Sequence, residues 1–281
     1  MLTDSQTNTI YFSELLETDR RFSDIYLDIK IKLAHFGIVP KLLPKTKDIW
    51  ARDYMPIQVN DTKFVEYRYD PDYLQGSVKS QRGIKTYPDM VCDAIGRKTI
   101  KTDVVLDGGN VVKSSNAVIL TDKVLTENRH YYNKTSLIKE LQNLFEAGKI
   151  FFIPKDPEDE YGHSDGMVRF IDDTNVLING FYLSYPTFAL SIESALKKVG
   201  LKPEWLKYKT KDKRRWSYIN FLQTKDIILL PKLGTDDDKV VVDQFNHYYS
   251  EYRNGRIIQV KMDDIIAEGG ALNCISWTTK E

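Results

Sequence analysis

Short apolar stretches rich in β-branched residues recur along the chain, and each follows a polar or glycine-rich corner. Four of them predict a pair of strands joined by a polar turn. They are "ARDYMPIQVNDTKFVEY" from Ala51, "DGGNVVKSSNAVIL" from Asp107, "HSDGMVRFIDDTNVLI" from His163 and "YINFLQTKDIILL" from Tyr218. A fifth stretch, "EGGALNCISWTT" from Glu268, predicts a first strand alone.

Helical patterns separate these strand pairs. Helices are predicted in "SDIYLDIKIKLAHFG", with Ser23 as N-cap and Gly37 as the stop, in "TSLIKELQNLFEAGK" around Leu141, and in "FALSIESALKKVG", which ends at Gly200. A fourth pattern, "VDQFNHYYSEYRNG", is weaker. Because strand pairs alternate with helices, the pattern predicts an α/β protein.

Matching asparagines support a repeat. Asn110, Asn220 and Asn273 hold equivalent places, about two units and then one unit apart if a unit has about 55 residues, a period typical of arrays and propellers. Five such units nearly fill the chain. This predicts one domain over 1–281, a five-bladed pseudo-symmetric α/β propeller whose C-terminal strand closes the ring. An ordinary mixed α+β domain is the alternative that the periodicity leaves open.

Charge and cysteine content narrow the class of protein. The chain has 40 basic and 40 acidic residues without a basic stripe, which argues against a dedicated nucleic-acid or membrane-surface protein and favours a small-molecule partner. Cys92 and Cys274 are too few for a disulfide framework. The N-terminal segment lacks a signal-peptide pattern, and no apolar run approaches the roughly 20 residues of a membrane helix. A cytoplasmic protein is therefore expected.

In a closed ring, the polar corners face the axis and form one site. Carboxylates match the forked N–H donors of a guanidinium, a thiolate attacks its electron-poor carbon, and an imidazole transfers protons. The set therefore predicts chemistry on a planar cationic substrate. The corner residues are Asp53, Asp107, His163, Asp165, Asn220, Glu268 and Cys274.

Each of these features also has a plainer explanation. A cysteine on an apolar strand is usually a small core residue, as we expect for Cys92 on its predicted helix, and Gly-Gly corners are ordinary turns. A zinc site at His163, Asp165 and Cys274 lacks a further cysteine or histidine at ligand spacing. No G-x-G-x-x-G or Walker A sequence occurs. Neither a metal nor an organic cofactor is therefore expected.

Together the motifs resemble those of the agmatine deiminase and bacterial peptidylarginine deiminase family. "DIWARDYMP" is similar to the W-x-R-D signature, "GHSDGMVRF" to G-H-x-D-x-x-x-R-F, "LDGGNVV" to the Gly-Gly-Asn strand, "YINFL" to the Asn-bearing strand, and "EGGALNCIS" to the C-terminal Gly-Gly-x-x-x-Cys. They occur in the family order from about Asp48 to Trp277. The resemblance implies the pentein fold, a five-unit α/β propeller, and a guanidine-modifying enzyme.

The resemblance also implies a role for each matching residue. Cys274 is the expected nucleophile, which forms a covalent thiouronium intermediate, and His163 is the expected general acid and base. Asp165 and Asp53 are expected to hold the guanidinium nitrogens. The expected substrate-binding residues are Trp50, Asp107, Asn220 and Arg68.

Departures from the family pattern bear on the substrate. Agmatine deiminases usually carry Glu-Gly-Gly and a D-G-x-G-T segment where this chain reads "LDGGNVVKSSNAVIL", and they are usually longer, which argues against agmatine itself. "ARDYMPIQ" followed by "FVEYRYDP" is more similar to the peptidylarginine type, whose arginines bind a substrate carboxylate. Arg68 is expected to do this here, with a solvated strand residue as the alternative.

The predicted function is a cysteine-dependent hydrolase that converts a small guanidino compound to a ureido product and ammonia. Two alternatives stay open. One is an amidinotransferase on the same fold, which passes the amidino group to an amine, and the other is a non-catalytic protein that binds a guanidinium or amine. The sequence leaves the oligomeric state undetermined, with a homodimer as one option.

Overall fold

Five small sheets organise the structure, a computed structural model that describes residues 1–75 and 83–281. Each sheet has three strands with one plan. A first strand runs antiparallel to a central strand, and the central strand runs parallel to a third. A parallel pair needs a long crossover, which here carries a helix. The predicted five-unit α/β propeller is confirmed.

The central strand lies in the middle of each sheet. The first sheet has β1 (Thr9–Ser13), β2 (Lys41–Leu43) and β15 (Ser276–Thr279), the second β3 (Ile57–Gln58), β4 (Phe64–Arg68) and β5 (Ile100–Val105), and the third β6 (Val112–Lys113), β7 (Ala117–Thr121) and β8 (Lys149–Ile153). The fourth has β9 (Val168–Phe170), β10 (Asn175–Ile178) and β11 (Lys202–Trp205), and the fifth β12 (Leu222–Gln223), β13 (Ile228–Lys232) and β14 (Ile257–Lys261).

Helices occupy the crossovers and some of the corners. The α-helices are α1 (Leu15–Thr18), α2 (Ser23–Ala34), α3 (Ala51–Tyr54), α4 (Pro88–Ala94), α5 (Lys123–Glu127), α6 (Lys134–Phe145), α7 (Pro186–Lys198), α8 (Asp237–Tyr248) and α9 (Asp263–Ala267). The 3-10 turns are Asp4–Gln6, Asp72–Leu74, Gly108–Asn110, Ser164–Gly166, Gly180–Ser184, Lys213–Ile219 and Ser250–Tyr252.

The two ends of the chain close the ring, as predicted. β15 pairs antiparallel with β1, so that Thr9 lies opposite Thr279 and Phe12 opposite Ser276. Trp277 reinforces this pairing because its ring contacts Tyr11 and its indole N–H donates to the carbonyl of Pro56 at 2.8 Å. The C-terminal segment is therefore part of the first sheet.

The packing of α6 shows how a crossover helix is held. Its N-terminus is capped by Asn133, whose side chain accepts from the backbone of Ser136 at 2.9 Å, while Ser136 reciprocates. Leu137, Leu141 and Phe145 recur at helical spacing and are buried against the sheet core. The strand-facing apolar stripe is the feature that the sequence pattern detected.

Other local predictions need correction. Ser23 is the first helical residue and Phe22 precedes it as N-cap, so Ser23 does not cap α2. The weak fourth pattern is a helix that begins earlier, at Asp237, and ends at Tyr248. The third strand of every sheet was missed. β2 and β11 are short, and β11 contains Pro203, which is unusual in a strand.

The structure tests only some of the predictions about cellular location and domain content. Among residues 1–75 and 83–281, no helix combines the length and hydropathy needed to cross a membrane. Cytoplasmic location, one domain over 1–281 and the homodimer stay predictions.

Replacing Trp277 with alanine tests the ring closure. Trp277 is 3% exposed, so its loss leaves a cavity and an unpaired buried carbonyl, and we expect a loss of about 3 to 5 kcal/mol in the free energy of unfolding. Urea unfolding followed by circular dichroism measures it. Tyr131→Ala, at a 76% exposed aromatic, is the matched control, with an expected change within about 0.5 kcal/mol. Equal effects of the two changes would contradict the closure.

Candidate active site

The polar corners of the five units lie close together in space. Most of them are tight turns that precede the first strands. Asp53 lies in α3 and Asp165 in a 3-10 turn, Asp107, His163 and Asn220 flank 3-10 turns, and Cys274 lies in the turn before β15. A tight turn exposes backbone N–H groups and directs a short polar side chain inward. These turns bring together Asp53, Asp107, His163, Asp165, Asn220 and Cys274.

The backbone of Cys274 is held from two sides. The side-chain oxygen of Asn220 accepts from the backbone N–H groups of Asn273 at 3.1 Å and of Cys274 at 3.2 Å. On the other side, the N–H of Arg52 donates to the carbonyl of Cys274 at 3.0 Å. The predicted asparagine thus fixes the turn that carries the predicted nucleophile.

Asp165 lies beside the thiol. Its Oδ2 accepts from Nδ2 of Asn273 at 2.6 Å and lies 3.8 Å from Sγ of Cys274. Burial raises the pKa of the Cys274 thiol well above its ordinary value, and the carboxylates of Asp165 and Asp53 raise it further. The free site therefore holds a neutral thiol next to a carboxylate, and a cation placed between them would favour the thiolate.

His163 lies between two carboxylates. Its Nε2 is 3.0 Å from Oδ2 of Asp107, and its Nδ1 is 3.6 Å from Oδ1 of Asp53. Burial by itself lowers the pKa of His163, but the charge of Asp53 and the hydrogen bond and charge of Asp107 outweigh it and raise the pKa to about 9. The imidazole is therefore protonated at neutral pH.

Asp53 is positioned by the glycine pair of the third unit. Its Oδ1 accepts from the N–H of Gly109 at 3.1 Å. A Cβ at Gly109 would lie 2.5 Å from Oδ1 of Asp53 and 2.6 Å from Nδ1 of His163, so no side chain fits there. Burial, together with the like charges of Asp107 and Asp165, raises the pKa of Asp53 to about 7. The charge of His163 acts in the opposite direction but is outweighed.

Asp107 lies behind His163 and is 2% exposed. Its Oδ2 accepts from both the imidazole and Nζ of Lys123, each at 3.0 Å. Burial raises the pKa of Asp107, but the hydrogen bonds and charges of His163 and Lys123 outweigh it and bring the pKa below its ordinary value. Its contacts are those of a residue that orients the histidine.

A cavity of about 560 Å³ opens beside Cys274, His163 and Asp165. Six aromatic side chains form much of its wall, and three acids lie among them. The aromatic residues are Tyr161, Phe181, Tyr182, Tyr185, Phe188 and Trp216, and the acids are Asp156, Glu158 and Asp159. No lysine or arginine of the described part of the chain lines it. The cavity suits a substrate with a cationic head.

Some predicted residues lie off the cavity wall. Asp53 and Asp107 do not line the cavity and approach opposite ring nitrogens of His163. Trp50 packs against Gly270, where a Cβ would lie 2.1 Å from its ring. Arg68 ends β4 with a half-exposed side chain and donates to Asp70 at 2.8 Å. Its predicted contact with a substrate carboxylate stays a prediction.

Glu268, another predicted corner residue, is exposed and points away from the site. Its carboxylate pairs with Arg21 at 3.4 Å, and the neighbouring Gly269 lines the cavity. The Glu-Gly-Gly corner therefore contributes its backbone to the site, whereas its acid does not reach the other corner residues.

The sequence analysis did not assign several other residues to the site. Lys123 lies in "TDKVLTEN", where nothing marks it as buried, and the ring of Tyr73 packs edge-on against Tyr161, with both rings beside His163. Asn273 was noted only as a marker of the repeat. Its place next to Cys274 was the available signal.

Comparisons with known proteins establish the family and the fold. The family model described as Porphyromonas-type peptidyl-arginine deiminase matches residues 28–279. A search of curated proteins finds no significant match.

Among solved structures, C. jejuni agmatine deiminase is similar with a TM-score of 0.76 and 16% identity, over 100% of this chain and 95% of that chain. Agmatine deiminase of Enterococcus faecalis has a TM-score of 0.75 and 16% identity, over 98% and 94%. DDAH from Pseudomonas aeruginosa has a TM-score of 0.55 and 10% identity, over 97% and 99%. At these identities the likeness shows the fold, which is the predicted pentein fold.

The family model spans nearly the whole chain and includes every corner that meets at the site. The chain therefore belongs to the Porphyromonas-type peptidyl-arginine deiminase family and is an enzyme of the guanidino deiminase class.

Proposed function

We propose that the protein is a cysteine hydrolase that converts a small guanidino compound and water into a ureido compound and ammonia. The observation that carries the proposal is the cavity wall on which Cys274, Asp165 and His163 meet, with Sγ of the cysteine 3.8 Å from the carboxylate. A guanidinium bound to that carboxylate presents its central carbon to the sulfur. Family membership supports the same reaction.

Binding of the substrate activates the nucleophile in this proposal. The guanidinium pairs with Asp165, and with Asp53 once substrate binding has drawn its carboxylate into contact. Burial and the two carboxylates keep the thiol neutral, and the positive charge of the substrate offsets them, so the pKa of Cys274 falls. The thiol then releases its proton to solvent, and the thiolate forms next to the carbon it attacks.

The reaction then proceeds through a covalent intermediate. Sγ adds to the guanidinium carbon, His163 donates a proton to the departing nitrogen, and ammonia leaves a thiouronium on Cys274. The neutral imidazole next takes a proton from water, which adds to the same carbon. The C–S bond breaks, and the ureido product leaves with the thiol restored. No step requires a metal or cofactor.

Cys274→Ala tests the nucleophile. We expect ammonia release from guanidino compounds to fall by at least about 10³-fold, because no other group can form the covalent intermediate. Cys92→Ala is the matched control, since Cys92 is buried in α4 away from the cavity. A wild type that binds substrate without releasing ammonia would favour the non-catalytic binding protein.

The same assay separates the hydrolase from an amidinotransferase. With a primary amine added, a transferase forms a new guanidine, whereas a hydrolase forms only ureido product and ammonia. Acid quenching during turnover should trap a mass on the peptide that contains Cys274, equal to the substrate minus ammonia. Turnover without that mass in wild type would contradict the covalent step.

The pKa shifts predict a bell-shaped pH profile. As pH rises through about 7, Asp53 loses its proton and gains the charge that binds the guanidinium, so kcat/KM should rise. As pH passes about 9, His163 loses the proton it donates, so kcat/KM should fall. Steady-state ammonia release measures both limbs, whose apparent pKa values belong to the coupled group. An acidic limb near the ordinary pKa of aspartate would contradict the role of Asp53.

The wall of the cavity indicates the kind of tail the substrate carries. Aromatic faces attract cations, and Glu158 and Asp159 add negative charge near the rim. A carboxylate in the same place would face these acids at like charge. We therefore propose a substrate whose alkyl tail ends in a cation, in contrast to the carboxylate expected from Arg68.

A substrate panel tests the tail. Agmatine, which ends in an ammonium, should exceed arginine in kcat/KM by about tenfold or more, and butylguanidine should lie between them. Glu158→Gln should lower kcat/KM severalfold for agmatine and leave it unchanged for butylguanidine, whose tail is neutral. A preference for arginine that is lost in Arg68→Gln would overturn this proposal and support the carboxylate contact instead.

A further inference from the structure

Lys123 is a buried lysine that neither the motifs nor the proposed reaction assign. It is the first residue of α5 and its side chain is 4% exposed. Its Nζ lies 3.0 Å from Oδ2 of Asp107, 3.3 Å from Asp72 and 3.4 Å from Glu127. Lysine is rarely buried unless its charge is paired. The three carboxylates therefore compensate the charge of Lys123, and Lys123 in turn affects the ionisation of Asp107 and Glu127.

Lys123, Asp107 and His163 form a continuous line of polar contacts. Nζ of Lys123 and Nε2 of His163 both donate to the same oxygen, Oδ2 of Asp107. The other oxygen, Oδ1, is buried and has no hydrogen-bond partner among the residues described. Lys123 therefore determines which oxygen faces the imidazole and restrains rotation of the carboxylate.

A charge comparison shows what the lysine adds. Asp53 and Asp107 flank one imidazole and both are buried, yet burial raises the pKa of Asp53 to about 7 whereas the pKa of Asp107 is lowered. Both carboxylates interact with His163. Asp107 alone of the two has a salt bridge to a lysine or arginine among the described residues. Lys123 thus accounts for part of the difference in ionisation.

We infer that Lys123 is a positioning residue for the deimination, which orients Asp107 and offsets part of its charge while Asp107 holds Nε2 of His163. Nδ1 of the imidazole is then directed towards Asp53, on the side where the substrate is proposed to bind. The mechanistic part of this inference rests on the proposed function. The electrostatic part concerns only the resting protein.

Charge also balances in the loaded site. Asp53, Asp107 and Asp165 surround His163, and three buried carboxylates next to one imidazole repel each other. Lys123 compensates Asp107 from behind, which leaves Asp53 and Asp165 for the cation of the substrate. Without Lys123 the guanidinium would enter a site in which Asp107 also competes for positive charge.

Loss of Lys123 should change the pKa of His163 in one direction. The groups that face His163 are Asp53, Asp107, Asp165, Tyr73 and Tyr161, and those that face Lys123 are Asp107, Asp72, Glu127 and the ring of Tyr73. Removing the cation strengthens the field of Asp107 at the imidazole, so the pKa of His163 rises. A more basic His163 gives up its proton less readily to the departing nitrogen.

The experiment combines a titration that is independent of turnover with kinetics. The chain has four histidines, so the NMR signal of His163 is assigned by its absence in His163→Gln, and its titration is followed in wild type, Lys123→Met and Lys123→Arg. We expect an upward shift of about 1 pH unit in Lys123→Met, a fall in kcat of about tenfold or more with a smaller change in KM, and restoration of most of both by arginine. Thermal unfolding checks that each variant is folded.

Matched variants keep the outcome decisive. Lys139→Met removes an exposed lysine of α6 and should leave titration and kinetics as in wild type. Glu127→Gln removes the negative charge on the far side of Lys123, so the titration of His163 should move the opposite way, to lower pH. This variant decides the matter if Lys123→Met does not fold.

The failures of the two proposals are distinguishable. A folded Lys123→Met with unchanged His163 titration and kcat within about twofold of wild type would overturn the role of Lys123, as would an unmoved titration in Glu127→Gln. If the titrations shift as expected but wild type releases no ammonia from any guanidino compound, the electrostatic link holds and the proposed function fails.

Discussion

Pairing of the first long strand with the last one is the constraint on which the structure depends. β1 and β15 come from opposite ends of the chain, and each supplies backbone hydrogen-bonding groups that the other needs. The pairing makes the first sheet equivalent to the other four and closes the ring. It also fixes Cys274, which lies two residues before the start of β15, next to the turns of the other units. The position of the proposed nucleophile therefore depends on the same strand pairing that closes the ring.

A second constraint follows from that convergence. Five inward-facing corners bring several carboxylates into a small buried volume, where their mutual repulsion and desolvation are unfavourable. The site divides this charge among three compensations. His163 lies between Asp53 and Asp107, and Lys123 neutralises Asp107 from behind. Asp165 relies on the amide of Asn273, which leaves its charge available to a substrate.

This distribution of charge explains why a neutral thiol suits the site. Because burial and the nearby carboxylates keep Cys274 protonated at rest, the sulfur is proposed to gain its charge only when a cation arrives. In the proposed reaction, the group that is to be attacked is also the group that activates the attack, so the reactivity of the cysteine is restricted to cationic ligands. The aromatic and acidic wall of the cavity extends the same selection to the tail.

The sequence by itself determined the repeat, the strand pairs and the crossover helices, because alternation and helical spacing are local properties of the chain. Its corner motifs also placed Cys274, His163, Asp165 and Asn220 in one site, since five equivalent turns of a ring must face one axis. The third strands were not recognised. β2 and β11 are short, and each pairs with a strand from the far side of a crossover helix, a contact that no local pattern records.

Only the tertiary structure decided the charge of the site. Asp53 and Asp107 look alike as corner aspartates, yet one has a raised and the other a lowered pKa. The difference arises because Asp107 accepts a hydrogen bond from His163 and because Lys123 reaches only Asp107. The tertiary structure also directs Glu268 outward and places Trp50 in packing contact with Gly270. Burial and the distance between charges depend on how separate units meet, and no local pattern in the chain records that distance.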